Sequence, residues 1–143
     1  MWSRIQVVLK RRVDVYESLE TLINELKLAV YDDNHQLYHF IFSNEGGWPE
    51  IYKLFLVATS NPLWLSNDIF AKTRELNIMF LQASHENRNP VEFGKANYKS
   101  IAELREQIEK MHARDMANLH EVERFLKSRK VNQNGFSPID LRG

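Results

Sequence analysis

Asp115 is the residue whose type and position ask most of the surrounding fold. It falls in the middle of an apolar helical stripe, between Met111 and Leu119, with His112 about one turn away. A carboxylate in such a place needs a partner. Three arrangements are open: a buried acid that steers His112 or grips a basic group, a polar pin that fixes register in a bundle or dimer seam, or a stripe that meets water at that level. His35 and His39 are four residues apart, so on a helix they share a face, with Asp32 one turn earlier. Two imidazoles and a carboxylate can begin a metal site, which needs a third or fourth ligand and second-shell support to complete. Tyr38, Phe40, Phe42, Trp48, Tyr52 and Phe55 crowd around a Gly-Gly turn. Stacking on nucleic-acid bases requires cations between such rings. Asp32, Asp33, Glu45 and Glu50 stand there instead, so the aromatics are expected to form a small core in which Trp48 staples the turn. No Gly-rich phosphate loop, serine elbow or paired-carboxylate constellation occurs, and no cofactor or small-molecule ligand is expected.

The chain that must position these groups has 143 residues, 43% of them hydrophobic, enough for one ordinary core and too little for two. Its 19 basic and 19 acidic residues cancel, so no global field would gather nucleic acid or anionic lipid, and any such contact must be local. The absence of cysteine excludes disulfides, thiolate nucleophiles and thiolate zinc sites, and no signal-peptide pattern opens the chain. A cytoplasmic setting is therefore expected. Apolar runs span only a few residues, against the roughly 20 that a bilayer-crossing helix needs.

Helical spacing organises most of the sequence. Ile5, Val8, Leu9, Tyr16, Leu19, Ile23, Leu26 and Val30 fall on one broad face. Arg12 interrupts that face and Arg4, Lys10 and Arg11 accompany it, so residues 4–12 read as a basic helical lead-in and packing is expected to begin near Val13. Asp32-Asp33-Asn34 closes this helix and caps an expected second one, His35 to Phe42. Asn44-Glu45-Gly46-Gly47-Trp48-Pro49 is the strongest break and should open a helix from Pro49 to Thr59. Ser60-Asn61-Pro62 repeats the pattern and opens a helix over 62–83 with Leu65, Ile69, Leu76, Met79 and Phe80 on one side. Leu63, Phe70, Ile78 and Leu81 lie on the other, and a helix apolar on two sides is central or sits at a subunit contact. His85 to Gly94 reads as a loop. Ser100-Ile101-Ala102-Glu103 fits a capping box, opening a last helix that runs to about Lys127. No segment shows strand alternation. The expected fold is all-α: a single four- to five-helix bundle over residues 1–129, with a long C-terminal helix, followed by a disordered tail over 130–143.

Two resemblances add expectations. Arg105 precedes His112 with six residues between them, and Arg114-Asp115 precedes His120 with four; both resemble the arginine-to-histidine motif of HEPN-type ribonucleases. That family is all-α, and the resemblance implies an arginine (Arg114 or Arg105) on the scissile phosphate and a histidine (His120 or His112) for proton transfer, with Asp115 beside them. Lys10-Arg11-Arg12-Val13-Asp14-Val15-Tyr16-Glu17-Ser18-Leu19, then Leu22-Ile23-Asn24-Glu25-Leu26 and Asn61-Pro62-Leu63-Trp64-Leu65-Ser66, resemble a loose group of small bacterial proteins. There a transmembrane helix precedes a basic run, a long Val-Tyr-Glu-type helix and a helical cytoplasmic domain. This resemblance implies that Arg4, Lys10, Arg11 and Arg12 lie against the anionic inner face of a membrane. The leading expectation is a non-catalytic helical interaction domain that forms a homo-oligomer or meets a protein partner through Leu63, Phe70, Ile78 and Leu81. A metal-independent ribonuclease is the alternative, and His35 with His39 is the candidate metal pair.

Overall fold

The computed structural model describes residues 3–59 and 64–131. The chain is predominantly α-helical, with five helices among the described residues: α1 (Arg4–Glu25), α2 (Trp48–Thr59), α3 (Asn67–His85), α4 (Pro90–Ala96) and α5 (Tyr98–Val131). A two-stranded antiparallel hairpin, β1 (Ala29–Tyr31) and β2 (Leu37–His39), and a 3-10 turn over Phe40–Ser43 lie between α1 and α2. Ser3 starts α1 through a capping box, its hydroxyl accepting from the Gln6 N–H while the Gln6 side chain accepts from the Ser3 N–H. The basic lead-in stays wet: none of residues 4–12 is buried, Leu9 and Val13 are half-buried, and Tyr16 is the first fully buried side chain.

Four expected features are corrected. The helix over His35–Phe42 is absent, because Asp32 caps a turn instead of a helix: its Oδ1 accepts from the backbone N–H of Asn34 and Gln36, both at 2.8 Å. His35 sits at φ 61°, a left-handed conformation that ends any helix. The chain reverses there and pairs Ala29 with His39, Val30 with Tyr38 and Tyr31 with Leu37, so α1 stops at Glu25 and Val30 belongs to a strand. The expected loop over His85–Gly94 holds the start of α4, where the Asn89 side chain accepts from the Glu92 N–H at 3.1 Å and Pro90 supplies its fixed φ in the first turn. Ser100 is not a cap, since α5 begins at Tyr98 and carries Ser100 inside it. The expected helix over 62–83 begins later, at Asn67 behind Ser66; α5 runs to Val131, past the expected start of the tail over 130–143, and the rest of that tail, like Ser60-Asn61-Pro62, lies outside the described residues.

Helices α1 and α5 run antiparallel. Lys27 pairs with Glu109 beyond the end of α1, Tyr16 reaches Asp115 in its middle, and Leu9 lies beside Leu126 near its start. Helix α5, with 34 residues, is about 50 Å long at 1.5 Å per residue and supports both α1 and α3. Of the aromatics around the Gly-Gly turn, Phe42, Trp48 and Phe55 are buried in the core, Tyr38 and Tyr52 pack half-buried against it, and Phe40 is exposed. Phe42, Trp48, Phe80 and Phe93 meet in tilted and edge-to-face pairs with ring centroids 5.3–6.1 Å apart, the geometry their quadrupoles favour. The Trp48 indole N–H donates to the Arg88 carbonyl at 2.8 Å, tying the start of α2 to the α3–α4 connection.

Helix α4 approaches this cluster so closely that only glycine fits at position 94. A Cβ there would lie 2.6 Å from Phe42 Cδ2, and Phe42 is locked on every side by other rings. Gly94→Ala is expected to cost about 1–3 kcal/mol in chemical denaturation, the usual range for overpacking a close-fitted core. Gly46→Ala meets the flexible Glu50 side chain and should cost clearly less; equal losses would contradict this account.

Candidate functional site

The groups with chemical potential gather in two polar layers where α1 and α5 meet. The upper layer joins three segments. The Ser66 backbone N–H donates to the Tyr16 hydroxyl at 2.9 Å, and that hydroxyl donates to Asp115 Oδ2 at 2.8 Å. Arg114 Nε donates to Asp115 Oδ1 at 3.0 Å and its Nη1 to Asp68 Oδ2 at 3.2 Å. The His112 ring is buried, 5.7 Å from the Tyr16 ring, and its Nε2 lies 2.7 Å from the Tyr16 carbonyl oxygen, which requires the proton on Nε2.

Burial, then the hydrogen bond to Asp115, raises the Tyr16 phenol above its ordinary value. Burial also works against ionised Asp115, but the nearby Ser66 side chain and the hydrogen bonds from Tyr16 and Arg114 outweigh it and hold the carboxyl below its usual range. At neutral pH the layer is therefore a protonated phenol on an ionised carboxylate. Both Asp115 oxygens and the donating proton of Tyr16 are engaged inside the protein, so the arrangement fixes neighbouring elements and presents no free base to a substrate.

The lower layer lies nearer the hairpin. His39 is buried at the end of β2 and stacks on Tyr98 with centroids 4.7 Å apart, while its Nδ1 is buried without a hydrogen-bond partner. Burial, and then the nearby Arg105 charge, lowers its pKa to about 4. Arg105 Nη1 donates to Glu109 Oε1 at 2.6 Å, and Lys27 pairs with the other Glu109 oxygen. Lys27 first, and then Arg105, hold Glu109 below the ordinary carboxylate range. On the outer side of the hairpin, Lys95 meets Asp32 Oδ2 at 2.5 Å, lowering the acid and raising the amine.

The sequence candidates are thus dispersed. His35 stands exposed at the hairpin tip while His39 is buried behind it, so the shared helical face that suggested a metal pair does not exist. Among the described residues no group of three histidines and carboxylates is placed to hold an ion. Arg114 is held by two carboxylates, and His120 is exposed on another side of α5, 4.0 Å from Glu123. Arg105 and His112 share a face, but it is the face packed on α1. Leu63 lies outside the described residues. Phe70, Ile78 and Leu81 are 41%, 50% and 44% exposed, and Leu56 of α2, which the sequence reading passed over, is 56% exposed. Arg4 and Arg11 are exposed, Lys10 pairs with Asp14 at 3.3 Å, and Arg12 is half-buried with its Nε donating to the Trp64 carbonyl at 3.3 Å. No family model, curated protein or solved structure matches the chain.

His39 generates a pH prediction. Its folded pKa near 4 lies below the ordinary 6.5, so the unfolded chain binds the proton more readily. The contribution of neutral His39 is complete above about pH 6.5 and falls away toward pH 4, by roughly 2–3 kcal/mol. Denaturation midpoints measured across that window should fall with acidification, and His39→Phe should flatten the slope. An unchanged slope in the variant would show that His39 is not its source.

Proposed function

We propose that this protein is a non-catalytic helical assembly module whose working surface is the outer face of α3. The observation that carries the reading is the apolar strip itself. Phe70, Ile78 and Leu81 fall within about 80° of arc on α3, with exposed Arg74 between them, and all three are exposed. Leu56 and Phe70 border a groove of about 320 Å³ between α2 and α3, with Arg74 and Asn77 at its polar edge. Large apolar side chains exposed in a row along one helix, with polar neighbours beside them, are the composition of a contact surface. A second copy of this chain is the proposed occupant, because an interface built on one helix face can be self-complementary about a two-fold axis. The titratable groups support the same reading from the other side, since His112, Asp115 and Glu109 of the α1–α5 seam are engaged by internal bonds. The ribonuclease alternative is weaker for that reason, with Arg114 and His112 both committed to structural partners.

One further observation favours a second, compatible contact. Arg4, Val7, Val8 and Arg11 are exposed together on the first turns of α1, a combination suited to the anionic inner face of a membrane, where each basic residue near the surface contributes about 1 kcal/mol. Among the described residues no helix is long and apolar enough to cross a membrane.

Light scattering on the purified chain is expected to give a dimer or larger species, with Phe70→Asp or Ile78→Asp yielding a folded monomer. The dimer should co-float with vesicles containing anionic lipid and not with zwitterionic ones, an attraction lost at high salt. A parent chain that stays monomeric at every concentration would overturn the assembly reading, and equal binding to both vesicle types would overturn the second.

A further inference from the structure

A helix can pair with a second copy of itself parallel or antiparallel, and the order of side chains along α3 distinguishes the two. The first half of its outer face offers hollows. Ala71 is exposed and small, and Phe70 stands at the mouth of the groove of about 320 Å³ that it borders with Leu56. The second half offers projections, Ile78 and Leu81. Ala71 and Ile78 are seven residues apart and Phe70 and Leu81 eleven, which is two and three helical turns to within about 20°. Each hollow therefore shares a flank of the helix with one projection. Both pairs are centred within half a residue of Glu75.

We propose that two copies of α3 pack antiparallel about a two-fold axis at Glu75, an inference that rests on the assembly role proposed above and gives it a direction and a register. About that axis the projecting half of each copy lies on the hollow half of the other. Ile78 meets the partner's Ala71, and Leu81 meets the partner's Phe70 at the mouth of the groove. Large side chains set against small ones and against an open groove let two helices interdigitate. A parallel pair would set Ile78 on Ile78 and Ala71 on Ala71, touching at one half of the helix and gaping at the other. Charge favours the same arrangement. Arg74 is exposed in the middle of the apolar strip and has no ion-pair partner among the described residues. Glu75 is half-exposed, with Lys72 3.3 Å away. In the antiparallel pair the two Arg74 side chains approach beside the axis, and each is answered by the partner's Glu75.

The chain lacks cysteine, so single cysteines report the approach of two copies through disulfide formation in the full-length protein. With the axis at Glu75, position 71 lies about 12 Å along the helix from its own copy, position 78 about 9 Å, and position 71 about 1.5 Å from the partner's position 78. A disulfide bridges Cα atoms no more than about 7 Å apart. Ala71→Cys alone and Ile78→Cys alone are therefore expected to stay unbridged under mild oxidation, while an equimolar mixture, exchanged beforehand, forms a covalent dimer. Arg74→Cys lies about 3 Å along the helix from its own copy and is expected to bridge by itself, with Phe70, Ile78 and Leu81 all in place. Light scattering before oxidation establishes that each variant is still a dimer. If dimeric Ala71→Cys or Ile78→Cys bridges with itself, or dimeric Arg74→Cys does not, the antiparallel register is overturned, while assembly through α3 stands as long as Phe70→Asp still releases monomer. A mixture that stays unbridged although both variants are dimers overturns the register too. A monomeric parent chain overturns the register and the assembly role together.

Discussion

A phenol and a carboxylate meet inside the seam between α1 and α5, and the rest of the molecule is arranged around them. Tyr16 is fully buried, so its hydroxyl must have a partner, and Asp115 is the acceptor that α5 brings to it. The same hydroxyl accepts from the Ser66 N–H at the start of α3, so one side chain of α1 fixes the phase of two other helices. Sliding α5 by one turn would place an apolar or exposed residue opposite Tyr16 and strand a buried polar group on each side. That penalty selects one register among several that apolar packing alone would nearly tolerate.

From this pin outward the structure divides by the kind of force in charge. Below it, Ile101, Ile108, Leu19, Leu22 and Ile23 make a seam of ordinary apolar packing, closed at the bottom by Lys27, Glu109 and Arg105. Beside it, the aromatic cluster gathers α2, α3, α4 and the 3-10 turn around Phe42 and Phe80. Above it the seam thins. Leu9 and Val13 are half-buried and Val7 and Val8 exposed, so the first turns of α1 lean on α5 with little to cover them. The function proposed for the protein follows the same division, with chemistry-bearing side chains spent on holding helices and apolar ones left outside to hold partners.

Much of the helical fold was legible from spacing, because an amphipathic helix announces itself over many residues. The wet start of α1, the break at Asn44–Pro49 and the two apolar sides of α3 were all visible in that way. What escaped were the elements too short to show a period. The hairpin has three residues per strand, and the Asp32 cap that suggested a helix start serves a turn with identical local chemistry. Helix α4 is seven residues long and was hidden behind Asn89-Pro90, although Asn-Pro followed by Glu92 is a capping signature that could have found it. At the candidate site, Asp115 and His112 were legible as polar intrusions in an apolar stripe. Tyr16 was not, since an aromatic residue on a core face raises no alarm. Arg105 had a signal that went unused: Ile101, Arg105, Ile108, His112, Asp115 and Leu119 follow a strict heptad alternation, which marks Arg105 as seam and not surface. His39 could be placed only by the hairpin, and that was the element the sequence concealed.

The central claim is that the Tyr16–Asp115 contact is a specific coupling between α1 and α5 and not two independent polar residues in a tolerant seam. A double-mutant cycle on Tyr16→Phe and Asp115→Ala, read by chemical denaturation, tests it most directly. The account predicts that the two losses are not additive, with a coupling of about 1–2 kcal/mol. Losses that simply add would mean that the phenol and the carboxylate act separately, and the register of the seam would then have to come from apolar packing alone.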